Sequence, residues 1–281
     1  MTAQVDQLAD KERLIDFKQL SRGRRLARLT LPPLVFGVCF LIVWYAIAYL
    51  VLDEKRRFLL SPLHEVLQVG FFDWDNFSRI LKGLWWTGRV SLMGLLISIV
   101  IGCLLAMAMS QSKLVERAVF PYMVTLQAIP ILAMVPLIGF WWGYGQFSRV
   151  IVCVVISLFP IVVNTLLGLQ SAEPEMHDMF TLHNAGRLTR LQKLMFPAAL
   201  PAMFAGFRIS AGLSVVGAIV GDFFFGQGPA GLGQLLRRYV NNVQGEELLA
   251  TIIVSSILGI VVFWSFGLLR KIVIGKWYEA A

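Results

Sequence analysis

The chain has 281 residues, 57% hydrophobic and 15% charged, with a net charge of +8. Soluble globular domains carry about a quarter charged residues. That deficit and a mean hydropathy of +0.72 exclude an ordinary soluble domain and point to an integral membrane protein. The basic residues sit at the ends of apolar segments, where they set orientation, so the positive charge is no argument for nucleic-acid binding.

In chain order, a basic tail (1–30) precedes six apolar stretches long enough to cross about 30 Å of hydrocarbon as helices. They cover roughly 31–52, 84–109, 119–142, 150–169, 198–223 and 248–270. None shows period-2 alternation, and only helices or closed barrels satisfy backbone polar groups in lipid. The expected fold is therefore an all-α bundle. The first stretch exceeds a signal-peptide core and ends in Leu-Asp-Glu-Lys rather than a small-residue cleavage site, so it is read as a retained helix.

Between residues 53 and 83, Ser61-Pro62-Leu-His-Glu-Val-Leu predicts a short helix with proline near its start. Phe71, Phe72, Trp74 and Phe77 suit a membrane–water boundary. "DWDN" at 73–76 begins like a calcium loop but lacks its glycine and distal glutamate. Pro121, Pro130 and Pro136 in the third stretch and Pro160 in the fourth each remove a helical hydrogen bond and predict kinks. Gly217 and Gly221 in the fifth stretch allow close helix approach, whether for packing or for a moving pathway. Cys39, Cys103 and Cys153 all lie in apolar runs and form no metal spacing; they read as small apolar residues.

If six helices alternate, fifteen Lys and Arg residues fall on the side of the two termini and eight on the other, Arg149, Arg237 and Arg238 among the eight. This asymmetry places both termini in the cytoplasm. Arg89, Arg208 and Asp222 lie within or at the ends of spans, where ionisable groups face a cavity or a partner. For each, a pathway role stands beside a structural one: a snorkelling or helix-end bond for the arginines, a helix cap for Asp222.

The segment from Ser171 to Pro201 is unlike its surroundings. Ser-Ala-Glu-Pro-Glu predicts a helix from about Pro174 to His183. Asn184 and Gly186 both accept left-handed geometry, so a turn belongs there. A second helix, about 187–196, puts Arg187, Arg190 and Lys193 on one face and Leu188, Leu191, Leu194 and Met195 on the other, with Pro197 and Pro201 marking the start of the fifth span.

This segment resembles the EAA loop of permease subunits from ATP-binding-cassette importers: Glu-Ala-Ala, three residues, Gly, nine residues, Ile-x-Leu-Pro. Aligned on Pro197, the acid falls on Asp178, the glycine on Asn184 and the last apolar pair on Leu194 and Phe196; Met179 and Phe180 replace the alanines. Asparagine is the best non-glycine occupant of a left-handed turn. The resemblance extends over roughly 60–270, through "LLSPLHEVL", Arg89, "FPAALPAMFAGFRIS", Asp222 and "GLG", and is to the nitrate/sulfonate/taurine branch, which also includes permeases for pyrimidine precursors and riboflavin-like molecules.

The resemblance implies six transmembrane helices, a five-helix permease core (84–270) plus an N-terminal helix (31–83 with its outer connection), and a short cytoplasmic tail at 271–281. It implies a homodimer in a bacterial inner membrane, with both termini cytoplasmic. Asp178, Asn184, Ala185, Gly186, Arg187, Arg190, Leu191 and Pro197 would couple to a cytoplasmic ATPase subunit. Leu188, Leu191 and Met195 would fill its groove or brace the loop, and the cations would meet acidic rims. Arg89, Arg208, Gly217, Gly221 and Asp222 would line or gate the pathway. ATP and magnesium would reside on the ATPase, and solute would arrive on an extracytoplasmic binding protein.

The sequence has no GxxxxGK[ST] loop, HExxH or Ser/His/Asp set, so no catalytic role is expected of the chain itself. "GQGPAGLG" at 226–233 matches a dinucleotide fingerprint without the strand such a site needs, and reads as an outer turn before a helix at about 231–241. A membrane enzyme and a passive channel are the competing classes; the first predicts turnover by the chain alone, the second conductance without an ATPase.

Overall fold

The computed structural model describes residues 22–278, and all their regular structure is helical. Most of the basic tail, Lys11, Arg13 and Lys18 included, lies outside the described residues, as do the last three. The chain divides after Glu65 into two compact units.

In the first unit, α1 (Arg22–Ala46) runs into a π turn (Ile47–Val51), giving the apolar span Thr30–Val51. A 3-10 segment follows, Glu54–Leu60. Aromatic side chains with polar tips tie α1 to the residues after that segment: the Trp44 indole donates to the Ser61 carbonyl at 3.1 Å, and the Tyr45 hydroxyl meets His64 Nδ1 at 3.1 Å. A short helix, α2 (Leu63–Leu67), straddles the division, and a π turn (Gln68–Phe72) follows it.

The second unit is a bundle. Its first long helix, α3 (Trp74–Gln111), starts ten residues before the apolar stretch that signals it, because the Asp73 carboxylate accepts from the Asp75 amide at 2.9 Å and caps it. "DWDN" is thus a helix start, and the division expected at residue 84 falls inside a helix. Ser112 caps α4 (Lys113–Ala128).

The third stretch departs from a single span. Pro130 has no N–H, and the chain breaks there between α4 and α5 (Ile131–Trp142), which are bent by 100°. The pair still joins the two ends of the bundle. Near its start, Glu116 accepts from the Gln170 amide at 3.1 Å; beyond its end, the Tyr144 carbonyl accepts from Gln227 N–H. It is a broken crossing rather than a hairpin. Pro121, Pro136 and Pro160 are carried inside helices.

Helix α6 (Gln146–Leu169) packs most extensively with α9 (Phe196–Phe224) and with α3. Two features allow the close approach. A Cβ on Gly217 would lie 2.9 Å from Cys153 Cα, and one on Gly221 3.1 Å from Arg149 Cα. A ladder of buried hydroxyls joins the three helices: Ser91 to Ser214 at 2.9 Å, Ser98 to Ser157 at 2.8 Å, and Ser210 to the Ser157 carbonyl at 2.7 Å. Leu95, Ile161, Leu166, Met203 and Phe207 fill the core around it.

Between α6 and α9 lie α7 (Pro174–Leu182) and α8 (Arg187–Arg190). The second helix expected at about 187–196 does not end before Pro197. A π turn (Leu191–Met195) precedes the proline, and one helix runs from Arg187 to Phe224. α10 (Leu232–Asn241) buries Leu232, Leu235 and Tyr239 while Arg237 and Arg238 face out, and α11 (Gly245–Tyr278) completes the chain. By length and composition, the described residues hold five membrane-length apolar helices, six with the broken pair.

Candidate functional sites at the two ends of the bundle

At one end, the loop between α6 and α9 forms a compact helical hairpin. Asn184 has φ +51°, the left-handed geometry expected there. The Ala185 amide bonds the Phe180 carbonyl and the Asn184 amide the Thr181 carbonyl, each at 2.9 Å, a Schellman closure of α7. Gly186 is extended (φ −64°, ψ 160°) and starts α8 rather than sharing the turn.

Arg190 looks inward: its Nη2 donates to Thr181 Oγ1 at 2.9 Å and braces α7 against α8. Leu194 and Met195 are buried in the bundle core, and Leu191 packs partly against it. These residues brace the loop. The apolar side chains left outside are others: Leu182 (83% exposed), Leu188 (66%), Met179 and Met176. Asp178, Arg187 and Lys193 are exposed, Ala185 and Pro197 half-buried.

At the opposite end, a buried ion pair organises the bundle. Arg149, in the first turn of α6, places Nη1 2.9 Å from Asp222 Oδ1 in the last turn of α9. The same guanidinium donates to three carbonyls of the next loop, Phe225 (3.1 Å), Gln227 (2.7 Å) and Pro229 (2.9 Å). The other Asp222 oxygen accepts from Thr87 Oγ1 on α3, and Thr87 Oγ1 in turn accepts from the Leu232 amide at 2.8 Å, at the start of α10. Both charges are sealed from solvent. A buried charge is tolerated only when paired and hydrogen-bonded, and here one pair fixes four elements and the loop between two of them.

The residues expected along a pathway do not form one cluster. Asp222 is occupied by Arg149 and Thr87. Gly217 and Gly221 lie in the α6–α9 contact. Arg89 is exposed, beside the Trp86 ring. Arg208 is half-buried, its guanidinium 4.1 Å from the centre of the Phe263 ring, and it lines an open cavity of about 600 Å³ with Trp264 and Lys271.

The sequence alone singles out neither Arg149 nor Thr87, and Arg149 counts there among the cations of a loop end. The available signal is one arginine at the start of the fourth span facing one aspartate at the end of the fifth, at matching depth.

Comparison with known proteins accords with this architecture. The model of the family described as binding-protein-dependent transport system inner membrane component matches residues 98–274, more than half the chain. The formylaminopyrimidine transport permease protein ThiX of Halalkalibacterium halodurans is 32% identical over 87% of this chain and 95% of its own length. The riboflavin transport system permease protein RibX of Chloroflexus aurantiacus is 38% identical over 43% of this chain and 44% of its own. The nitrate import permease protein NrtB of Leptolyngbya laminosa is 25% identical over 87% and 92%. With its helical bundle, its membrane-length apolar helices and this match, the chain belongs to the binding-protein-dependent transport system inner membrane components, the permeases of ATP-binding-cassette importers.

Proposed function

We propose that this chain is the membrane-spanning subunit of an ATP-driven importer that works by alternating access. It docks a separate cytoplasmic ATPase through the α7–α8 hairpin and receives solute from an extracytoplasmic binding protein. ATP and magnesium reside on the ATPase. The assembly is a homodimer in a bacterial inner membrane, with both termini cytoplasmic; the excess of Lys and Arg on the hairpin side supports that orientation.

One observation carries the reading. The hairpin leaves Leu182, Leu188 and Met179 uncovered, and the helix that begins beside them continues without a break from Arg187 to Phe224. Exposed apolar side chains rimmed by Arg187 and Lys193 are the composition of a docking surface. An unbroken helix passes displacement along its axis, because shortening it would cost its hydrogen bonds. A push at Leu188 would therefore reach the Asp222 end of the bundle, where the buried pair holds the loop at 225–231.

The test is co-purification of the tagged chain from its native membrane, with Leu182→Asp and Leu188→Asp as the variants. Both positions are exposed, so the fold should tolerate them. An ATPase recovered with the native chain and lost with the variants is the expected result. Recovery unchanged by the double variant, or solute flux that proceeds without ATP, would overturn the reading in favour of a channel.

A further inference from the structure

The break between α4 and α5 opens a cavity of about 400 Å³, lined among others by Gln127, Pro130, Ile156, Phe159, Pro160 and Leu213. Ile156 and Phe159 straddle the midpoint of Gln146–Leu169, and Leu213 lies near the middle of Phe196–Phe224. The cavity therefore sits at mid-depth of the spans, and its volume falls within the range of small-molecule sites.

Its polar groups come from the break. Pro130 has no N–H, so the Leu126 carbonyl loses its helical partner. The bend takes the Ile131 and Leu132 amides away from the carbonyls of Gln127 and Ala128, and no hydrogen bond replaces them among the described residues. Residues 127–130 are exposed. Irregular backbone at membrane depth is tolerated where it is buried in protein or lines a water-filled cavity, and not against lipid. This face cannot be turned to hydrocarbon.

We infer that this cavity is a transit site for the imported solute and that it takes a flat, neutral nitrogen heterocycle. The inference rests on the transport function proposed above. On residues that line the cavity, the break offers acceptors (the carbonyls of 126–128), a donor (the amide of 131) and the Gln127 side-chain amide, which is both. That alternation matches the ring edge of a pyrimidine or flavin. Phe159, Ile156, Leu213 and the prolines supply apolar walls for the ring faces. No lining residue is charged, so the site offers a small anion no cation to pair with. Arg208 belongs to a different cavity, and Arg149 is neutralised by Asp222. Two of the relatives above are named for a formylaminopyrimidine and for riboflavin.

The test uses Ala128→Cys and Ile129→Cys in native membranes, labelled with a charged, membrane-impermeant thiol reagent, the native chain's own three cysteines giving the background. Both thiols should react, since the site is wet. Saturating formylaminopyrimidine or riboflavin should slow the reaction about tenfold or more, and nitrate should not. Adding Phe159→Ala should remove the protection and leave the thiol reactive.

Thiols that stay unreactive in a chain that still recovers the ATPase would overturn the site while sparing the transport function. Protection by nitrate and not by the heterocycles would overturn the solute class. Protection by a heterocycle with no ATPase recovered would uphold the site and remove the ATP-driven reading.

Discussion

Arg149 and Asp222, 73 residues apart in sequence, form a 2.9 Å ion pair from which solvent is excluded, and that pair clamps α6, α9 and the loop at 225–231 to one another. The guanidinium bonds three carbonyls of that loop as well, so the loop's course depends on it.

Removing one partner leaves the other charge buried. Asp222→Ala should destabilise the chain by about 3–5 kcal/mol. Asp222→Asn should cost less, because its amide oxygen still accepts from Arg149. Equilibrium unfolding in mixed detergent micelles measures both, and equal stabilities for native and Asp222→Ala would refute the clamp.

The small residues of α9 are not equivalent. Gly217→Val places atoms where the backbone of Cys153 already lies, 2.9 Å from the new Cβ, and should destabilise by about 1–3 kcal/mol. A Cβ added at Gly212 would meet nothing within 4 Å, so Gly212→Ala should be neutral or slightly stabilising through helix propensity. The same unfolding assay, run on the pair, separates packing glycines from incidental ones.

The hairpin turn rests on a left-handed residue. Asn184→Gly should preserve it, whereas Asn184→Val forces a β-branched side chain into φ +51° at a cost of about 1–2 kcal/mol. Faster proteolysis between α7 and α8 in the valine variant, with weaker ATPase recovery, is the expected outcome.

Tyr239 on α10 is buried, and its hydroxyl finds no hydrogen-bond partner among the described residues. Burial pushes its pKa above the ordinary value and the Glu247 carboxylate adds to this, while Arg79 and Arg238 pull it back. Because the folded value is the higher one, the fold resists this ionisation: stability is unaffected by it below the unfolded pKa of about 10 and falls as pH rises from there through the folded value. Tyr239→Phe should gain about 1 kcal/mol at neutral pH and should flatten the alkaline loss of stability, which a pH series of unfolding curves reads directly.

Much of this protein is written locally. A run of apolar residues specifies a membrane helix whatever it packs against, so the spans and the all-helical class are readable from hydropathy alone. The hairpin is readable for a similar reason: Pro174 at a helix start and Asn184 at a left-handed turn act within a few residues of themselves. Pro130 announces a lost hydrogen bond, but not a 100° bend, since the angle depends on how α4 and α5 each bury against α6.

Three features depend on the tertiary structure. Helix rotation and depth decide whether an arginine at the start of one span meets an aspartate at the end of the next, and hydropathy records neither, so Arg149 reads as a loop cation. The helix Arg187–Phe224 runs on through Pro197, with a π turn before the proline and with Leu194 and Met195 seated in the core. The cavity at the break exists because residues from α4, α5, α6 and α9 converge at one depth. The sequence by itself determined which segments enter the membrane and where the loop turns, because those are properties of neighbours in the chain. Which charges meet, and which surface stays open, only packing decided, because those are relations between residues the chain brings together from far apart.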